Sequence, residues 1–222
     1  MHQKKSKKII IYFFLLIVLG SINNKIFSST KFYQIKEIQI SGLDVMNNEK
    51  LLSKLNNFFF KNILFINKNE ISKIIENNDL VQNYIILKKY PSKLDVRIEK
   101  AKFYAKINRN NKIFYVGSNG KLIKNNFQYE LPFIFGNPEV NEFLKFKKII
   151  DNSKLQYRDI KNLYFFQSKR WDIELNNNLI VKLPKENLDK SLDNVFEIIN
   201  NSNLNKFKII DLRIKNQIIT NE

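Results

Sequence analysis

The sequence predicts an α+β chain with an N-terminal transmembrane helix, then a β-α-α-β-β unit, then a mixed β domain with a mostly antiparallel sheet and flanking helices. Three observations carry that prediction. Four lysines precede an apolar run from Ile9 to Leu19; two helix-period runs precede alternating strand patterns up to about residue 100; and beyond it Asn-rich dipeptides separate short alternating runs. The expected boundaries are a cytoplasmic tail over 1–8, the transmembrane helix over 9–24, the first folded unit over 31–100 and the β domain over 101–222.

The membrane segment rests on Lys4, Lys5, Lys7 and Lys8, followed by Ile9 to Leu19 and then Gly20, Ser21 and Ile22. From Ile9 to Asn24 a helix rises roughly 24 Å, short of a hydrocarbon core of roughly 30 Å. An uncleaved anchor needs Lys8 and Lys25 to snorkel and the bilayer to thin. A cleaved signal peptide and a buried core helix are the alternatives; the first lacks a clear small-residue cleavage site, and the second conflicts with an apolar surface all round. The lysines orient the N-terminus to the cytoplasm and the rest of the chain to the far side.

In residues 31–100, Ile35, Ile38 and Ile40 predict a strand from Tyr33 to Ser41, ended by Gly42. Leu51, Leu52, Leu55, Phe58 and Phe59 fall on one helix face, which Asn47 or Asn48 could cap. Asn67 and Glu70, with Ile66 and Ile71 as a hydrophobic staple, start a second helix whose apolar face is Ile71, Ile74 and Ile75. Val81 to Lys88 form a strand leading to a turn at Pro91. Leu94, Val96 and Ile98 then alternate with Asp95, Arg97 and Glu99, one face buried and one wet.

In residues 101–222, Phe103–Arg109 and Ile113–Val116 flank Asn110-Asn111, a hairpin signal because Asn tolerates positive φ. Asn119-Gly120 reads as a type I′ turn leading to Lys121–Ile123. Phe143, Phe146 and Ile150 predict a helix with Lys145, Lys147 and Lys148 on its wet side. Residues 171–183 read as two strands around Asn176–Asn178. Leu188, Leu192, Val195, Phe196 and Ile199 give another helix face, and residues 207–219 a final strand with Ile210, Leu212 and Ile214 on one side and Ile209, Asp211 and Arg213 on the other.

Composition narrows the chemistry. The net charge of +17 is carried by 33 Lys and only 5 Arg, beside 33 Asn and 33 Ile, all three abundant types having A/T-rich codons. The basic residues are interleaved with acids after residue 30, which argues against a nucleic-acid groove. With no Cys, and His2 as the only His, thiolate nucleophiles, His triads and Cys or His metal clusters are excluded from the folded part. No phosphate-loop or nucleophile-elbow motif occurs. Glu139 with Glu142 and Asp189 with Asp193 sit at helix spacing beside lysines and read as solvated faces. The reading is therefore non-enzymatic, with no cofactor, no metal and no catalytic residue.

The order β-α-α-β-β, Gly42, the link Asn62–Asn67 and the run Val81–Glu99 resemble a POTRA domain. The strings KRWDIEL (Lys169 to Leu175), VKLP (Val181 to Pro184), IIDLR (Ile209 to Arg213) and ELPFIFG (Glu130 to Gly136) resemble the C-terminal β domain of the FtsQ/DivIB family of cell division proteins. Lys102 departs from the family's usual Pro, and the cytoplasmic tail is short. The resemblance implies a bitopic inner-membrane scaffold at the division septum with periplasmic domains. It would bind the FtsB/FtsL pair, link early and late division components and help control septal peptidoglycan synthesis. A POTRA chaperone or scaffold for protein export or outer-membrane assembly is the alternative.

Trp171 reads as core. Asp211 and Arg213 read either as a surface ion pair or as part of an open sheet edge that receives a partner strand. By the resemblance, this edge together with the preceding helix receives FtsB, and Arg213, Ile214 and Asn216, with Arg170 as a further candidate, correspond to residues that contact it.

Overall fold

A computed structural model describes residues 3–22, 31–124, 129–201, 207–214 and 217–221. The chain divides into two compact units, Met1–Lys100 and Ala101–Glu222.

The first unit opens with helix α1 (Gln3–Ile22), on which Ile9 to Ile17 and Leu19 are exposed. Among the described residues no helix is long and apolar enough to cross a membrane. The expected transmembrane helix is corrected to that extent: lysines occupy the first turns of α1, so the apolar part of the described helix rises only about 21 Å. Residues 23 and 24 lie outside the described residues.

The remainder of this unit is β1 (Glu37–Ser41), α2 (Val45–Lys54), α3 (Lys68–Glu76), β2 (Val81–Lys89) and β3 (Lys93–Lys100), in the sheet order β1-β3-β2. β1 runs parallel to β3, and β2 antiparallel to it. Leu51, Leu55 and Phe58 from α2 and its continuation, with Ile71 and Ile75 from α3, bury against Ile38, Leu94 and Val96 of the sheet. The first strand is shorter than expected because Lys31–Tyr33 form a 3-10 turn and Gln34 and Ile35 pair with the loop at Phe60–Asn62 instead of with the sheet. Asp44, rather than Asn47 or Asn48, caps α2: its Oδ1 accepts from the Asn47 backbone N–H at 3.0 Å. Asn67 does cap α3, accepting from the Asn69 N–H at 2.9 Å. Gly42 has φ +106°, and a Cβ there would lie 1.7 Å from the Ile98 carbonyl oxygen, so no other residue fits that close approach. The wet face expected for Asp95 is wrong. β3 is the central strand, and Asp95 is buried beneath Lys89, whose Nζ stands 2.7 Å away.

The second unit is built on one nine-stranded sheet. Its strands are β4 (Phe103–Arg109), β5 (Lys112–Gly117), β6 (Leu122–Ile123), β7 (Phe133–Phe135), β8 (Ile160–Phe165), β9 (Trp171–Leu175), β10 (Ile180–Lys182), β11 (Ile209–Asp211) and β12 (Ile219–Asn221), in the order β12-β11-β10-β9-β8-β7-β4-β5-β6. Most neighbours are antiparallel; β4·β7, β7·β8 and β10·β11 are parallel. Asn110 and Asn111 both sit at positive φ and close the β4–β5 hairpin as their side chains allow. The next turn differs from its expected type: Gly120 alone is left-handed, while Asn119 accepts from the Lys121 N–H at 3.1 Å.

Two helices, α4 (Val140–Asn152) and α5 (Leu188–Asn201), cover the sheet. Phe143, Phe146, Ile150, Leu192 and Val195 pack against Ile134, Leu163, Ile173 and Ile210 in the core. Trp171 lies 5% exposed, its ring stacked on Phe146 with centroids 4.7 Å apart, the structural role expected for it. Lys147 is buried instead of wet. Its ammonium sits 4.1 Å from the Tyr157 ring centroid and 4.8 Å from that of Tyr104, and is paired with Asp151. Two aromatic faces and one carboxylate replace the water the charge gives up.

Candidate partner-binding site

The expected final strand is interrupted. β11 holds only Ile209 to Asp211 and is joined to β10 by the parallel crossover through α5. The chain then leaves the sheet and returns as β12, antiparallel to β11 with Ile210 opposite Thr220. The open edge expected at β11 is therefore occupied by the chain's own C-terminal strand. Inward alternation also stops there: Ile210 and Leu212 are buried, whereas Ile214 is 51% exposed.

Across this end of the sheet the register aligns Asp172 of β9 with Lys182 of β10, and Lys182 with Asp211 of β11. One face of three neighbouring strands thus carries acid, base and acid in a row, flanked by two arginines. The Arg170 Nε donates to Asp172 at 3.2 Å, and its guanidinium lies 4.4 Å from the Phe166 ring centroid. The Arg213 Nε donates to both carboxylate oxygens of Asp211, at 2.8 and 2.9 Å, and the Arg213 backbone N–H adds a third bond at 3.1 Å. Arg213 holds the Asp211 carboxyl below its ordinary value, and Asp211 in turn raises the guanidinium. Burial pushes Asp172 up despite Arg170; Arg213 also acts on it electrostatically, which couples the two pairs.

Beside this row lies a groove of about 690 Å³ between the start of α5 and residues 212–214 with 217–218. Lys190, Ser191 and Asn194 line one wall, and Leu212, Ile214 and Ile218 the other. Ile218 and Ile219 are 52% and 49% exposed. Among the described residues the arrangement holds no constellation of nucleophile, base and oxyanion donors; it offers an apolar ridge, oriented cations and a sheet edge. Of the residues expected from sequence to contact a partner, Arg213 and Ile214 line this groove, Arg170 is paired with Asp172 and does not line it, and Asn216 lies outside the described residues. The helix expected to share the site is α5, which forms its other wall; Ile218 and Ile219 are not part of that expectation. Asn216-Gln217 between two isoleucine runs is the sequence signal that marks the break.

Comparison with known families matches residues 33–100 to the model "POTRA domain, FtsQ-type" and residues 104–213 to "Cell division protein FtsQ/DivIB, C-terminal". The Cell division protein FtsQ of Rickettsia bellii is 23% identical over 200 residues, covering 83% of this chain and 71% of its own. That of Rickettsia conorii is 22% identical over 216 residues, covering 87% and 77%. The Cell division protein DivIB of Clostridium botulinum is 27% identical over 226 residues, covering 93% and 88%.

Proposed function

Since the chain belongs to the FtsQ/DivIB family of cell division proteins, we propose that it is a non-enzymatic division scaffold whose C-terminal sheet edge receives the FtsB/FtsL pair. In this reading the apolar segment 9–24, of which α1 holds the part up to Ile22, is an uncleaved inner-membrane anchor whose shortness is met by snorkelling of Lys8 and thinning of the bilayer, with its N-terminus in the cytoplasm and both folded units periplasmic. The assembly collects at the septum, links early and late division components and helps control septal peptidoglycan synthesis.

The observation that supports the docking site is the juxtaposition of exposed Ile214, Ile218 and Ile219 with an edge strand and a groove walled by α5. Main-chain pairing supplies affinity, and side chains entering the groove supply specificity. β12 is three residues long and exposed throughout, so little apolar burial holds it on β11. The partner strand takes its place on β11 by exchange, with Arg213 kept in position by Asp211.

Two experiments test the reading. A fluorescent fusion should band at mid-cell, and a uniform envelope ring would contradict a division role. The tagged full chain, extracted from membranes, should retain FtsB and FtsL, and the double variant Ile214→Asp, Ile218→Asp should lose both; undiminished capture by that variant removes the groove as the docking site.

A further inference from the structure

The loop joining α2 to α3 carries a second surface. Phe60 is 72% exposed, Phe65 61% and Leu64 38%, while Ile63 and Ile66 of the same loop are buried at 0% and 9%. The core therefore grips the loop by its isoleucines and turns the aromatic residues out. Phe60 is further held at φ 63°, a conformation unfavourable for a bulky residue. Exposed apolar groups close in sequence on a loop held by buried isoleucines mark a contact surface rather than scattered surface residues.

Charge and position identify what covers it. Residues 58–68 and 31–36 contain Lys31, Lys36, Lys61 and Lys68 and no acid. The two segments are laced together. The Phe60 N–H donates to the Ile35 carbonyl at 3.0 Å, the Ile35 N–H to the Lys61 carbonyl at 3.0 Å, and the Ile63 N–H to the Tyr33 carbonyl at 2.9 Å. The Lys88 ammonium donates to the carbonyls of Leu64 and Ile66 at 3.3 and 3.1 Å, and lies close enough to Lys68 for the two to repel. Lys68 itself donates to the Ile86 carbonyl at 3.3 Å. Two neighbouring ammonium groups spending their bonds on backbone carbonyls keep their charge available to an external anion. Tyr33, to which the loop is bonded, follows the end of α1 by 11 residues, a tether of at most about 40 Å.

We propose that this loop docks on an anionic lipid surface, Phe60, Leu64 and Phe65 entering the interface and Lys61, Lys68 and Lys88 meeting the headgroups. The proposal rests on the reading of α1 as a membrane anchor, which brings the loop within reach of a bilayer. Apolar groups flanked by lysines, with no acid between, suit a bilayer interface of negative surface potential.

The absence of cysteine allows a single fluorophore to be placed at will. The full-length Leu64→Cys variant, labelled with an environment-sensitive dye, is reconstituted into phosphatidylethanolamine–phosphatidylglycerol vesicles with or without brominated acyl chains. A Leu16→Cys variant of the full chain reports the anchor under the same conditions. The expected result is blue-shifted emission quenched by lipid bromine at both positions. Replacing Lys68 or Lys88 by Gln should lower the ratio of docked to undocked loop about fivefold per lysine, and Phe60→Ser with Phe65→Ser should abolish the Leu64 quenching. Quenching at Leu16 with none at Leu64 overturns the lipid surface and leaves the anchor standing. Absence of quenching at Leu16 overturns the anchor; the Leu64 label still decides the surface, which is supported if quenched and overturned if not. Dye protected at Leu64 only when a partner protein is added, and never by lipid, assigns the loop to protein and overturns the proposal.

Discussion

Asp95 and Asp172 are two buried carboxylates whose surroundings push them in opposite directions. The hydrogen bond from Lys89 holds Asp95 below its ordinary value of 3.8. Its contribution to stability is present above the unfolded pKa and is lost as pH falls through the lowered folded one. Burial raises Asp172, so it favours the folded state at low pH, and that advantage is lost as pH rises through the raised folded pKa. Denaturant titrations across the acid range should therefore show Asp95→Asn flattening the acid loss of stability, and Asp172→Asn removing a contribution of opposite slope. Asp95→Asn should cost about 1 kcal/mol near neutrality, discounted because Lys89 and Arg97 are largely exposed. Gly136 belongs to the same scale. It sits at φ +91°, and a Cβ there would come within 2.2 Å of the Phe165 carbonyl oxygen. Gly136→Ala should destabilise by about 3 kcal/mol, measured as a drop in unfolding free energy without change in the core's near-ultraviolet spectrum.

At the scale of elements, the β4–β5 hairpin depends on two consecutive left-handed residues. Asn110→Ala with Asn111→Ala should cost about 1–2 kcal/mol per residue, whereas Asn111→Gly should be nearly neutral in the same denaturation assay. Removing the α2 cap with Asp44→Ala should cost about 1 kcal/mol. That hairpin, the faces of α4 and α5, and the order of elements in the first unit were legible because short-range pattern decides them. Asp95 and Lys147 were not: alternation and helix period assign any charged residue to water, and what admits these two lies elsewhere in the chain, Lys89 on β2 and the rings of Tyr104 and Tyr157. The split of the last strand was hidden in the same way. Ile210, Leu212 and Ile214 keep a period of two, yet the pairing that ends β11 and brings β12 back is a tertiary event. The candidate site was accordingly partly visible, with Arg213, Ile214 and the α5 helix in place and Ile218 and Ile219 of the returning segment absent.

At the scale of the whole molecule, the chain forms two units with separate cores, the first opening with the basic, apolar helix α1, and the proposed docking edge belongs to the second. A chain ending at Ile218 should bind the FtsB segment at least as tightly as the complete one, because β12 would no longer compete for β11; a calorimetric titration showing lost affinity would mean that β12 is itself the docking edge. The net charge of +17 fits the same picture: four lysines precede the apolar run, and most of the remainder are lysines scattered over the folded units. The most direct test of the docking edge places a photo-crosslinking amino acid at Ile214 of the full chain in dividing cells. The account predicts a covalent adduct with FtsB at Ile214 and none from Ile85 on β2 of the first unit; adducts absent at Ile214, or equally strong at Ile85, would contradict it.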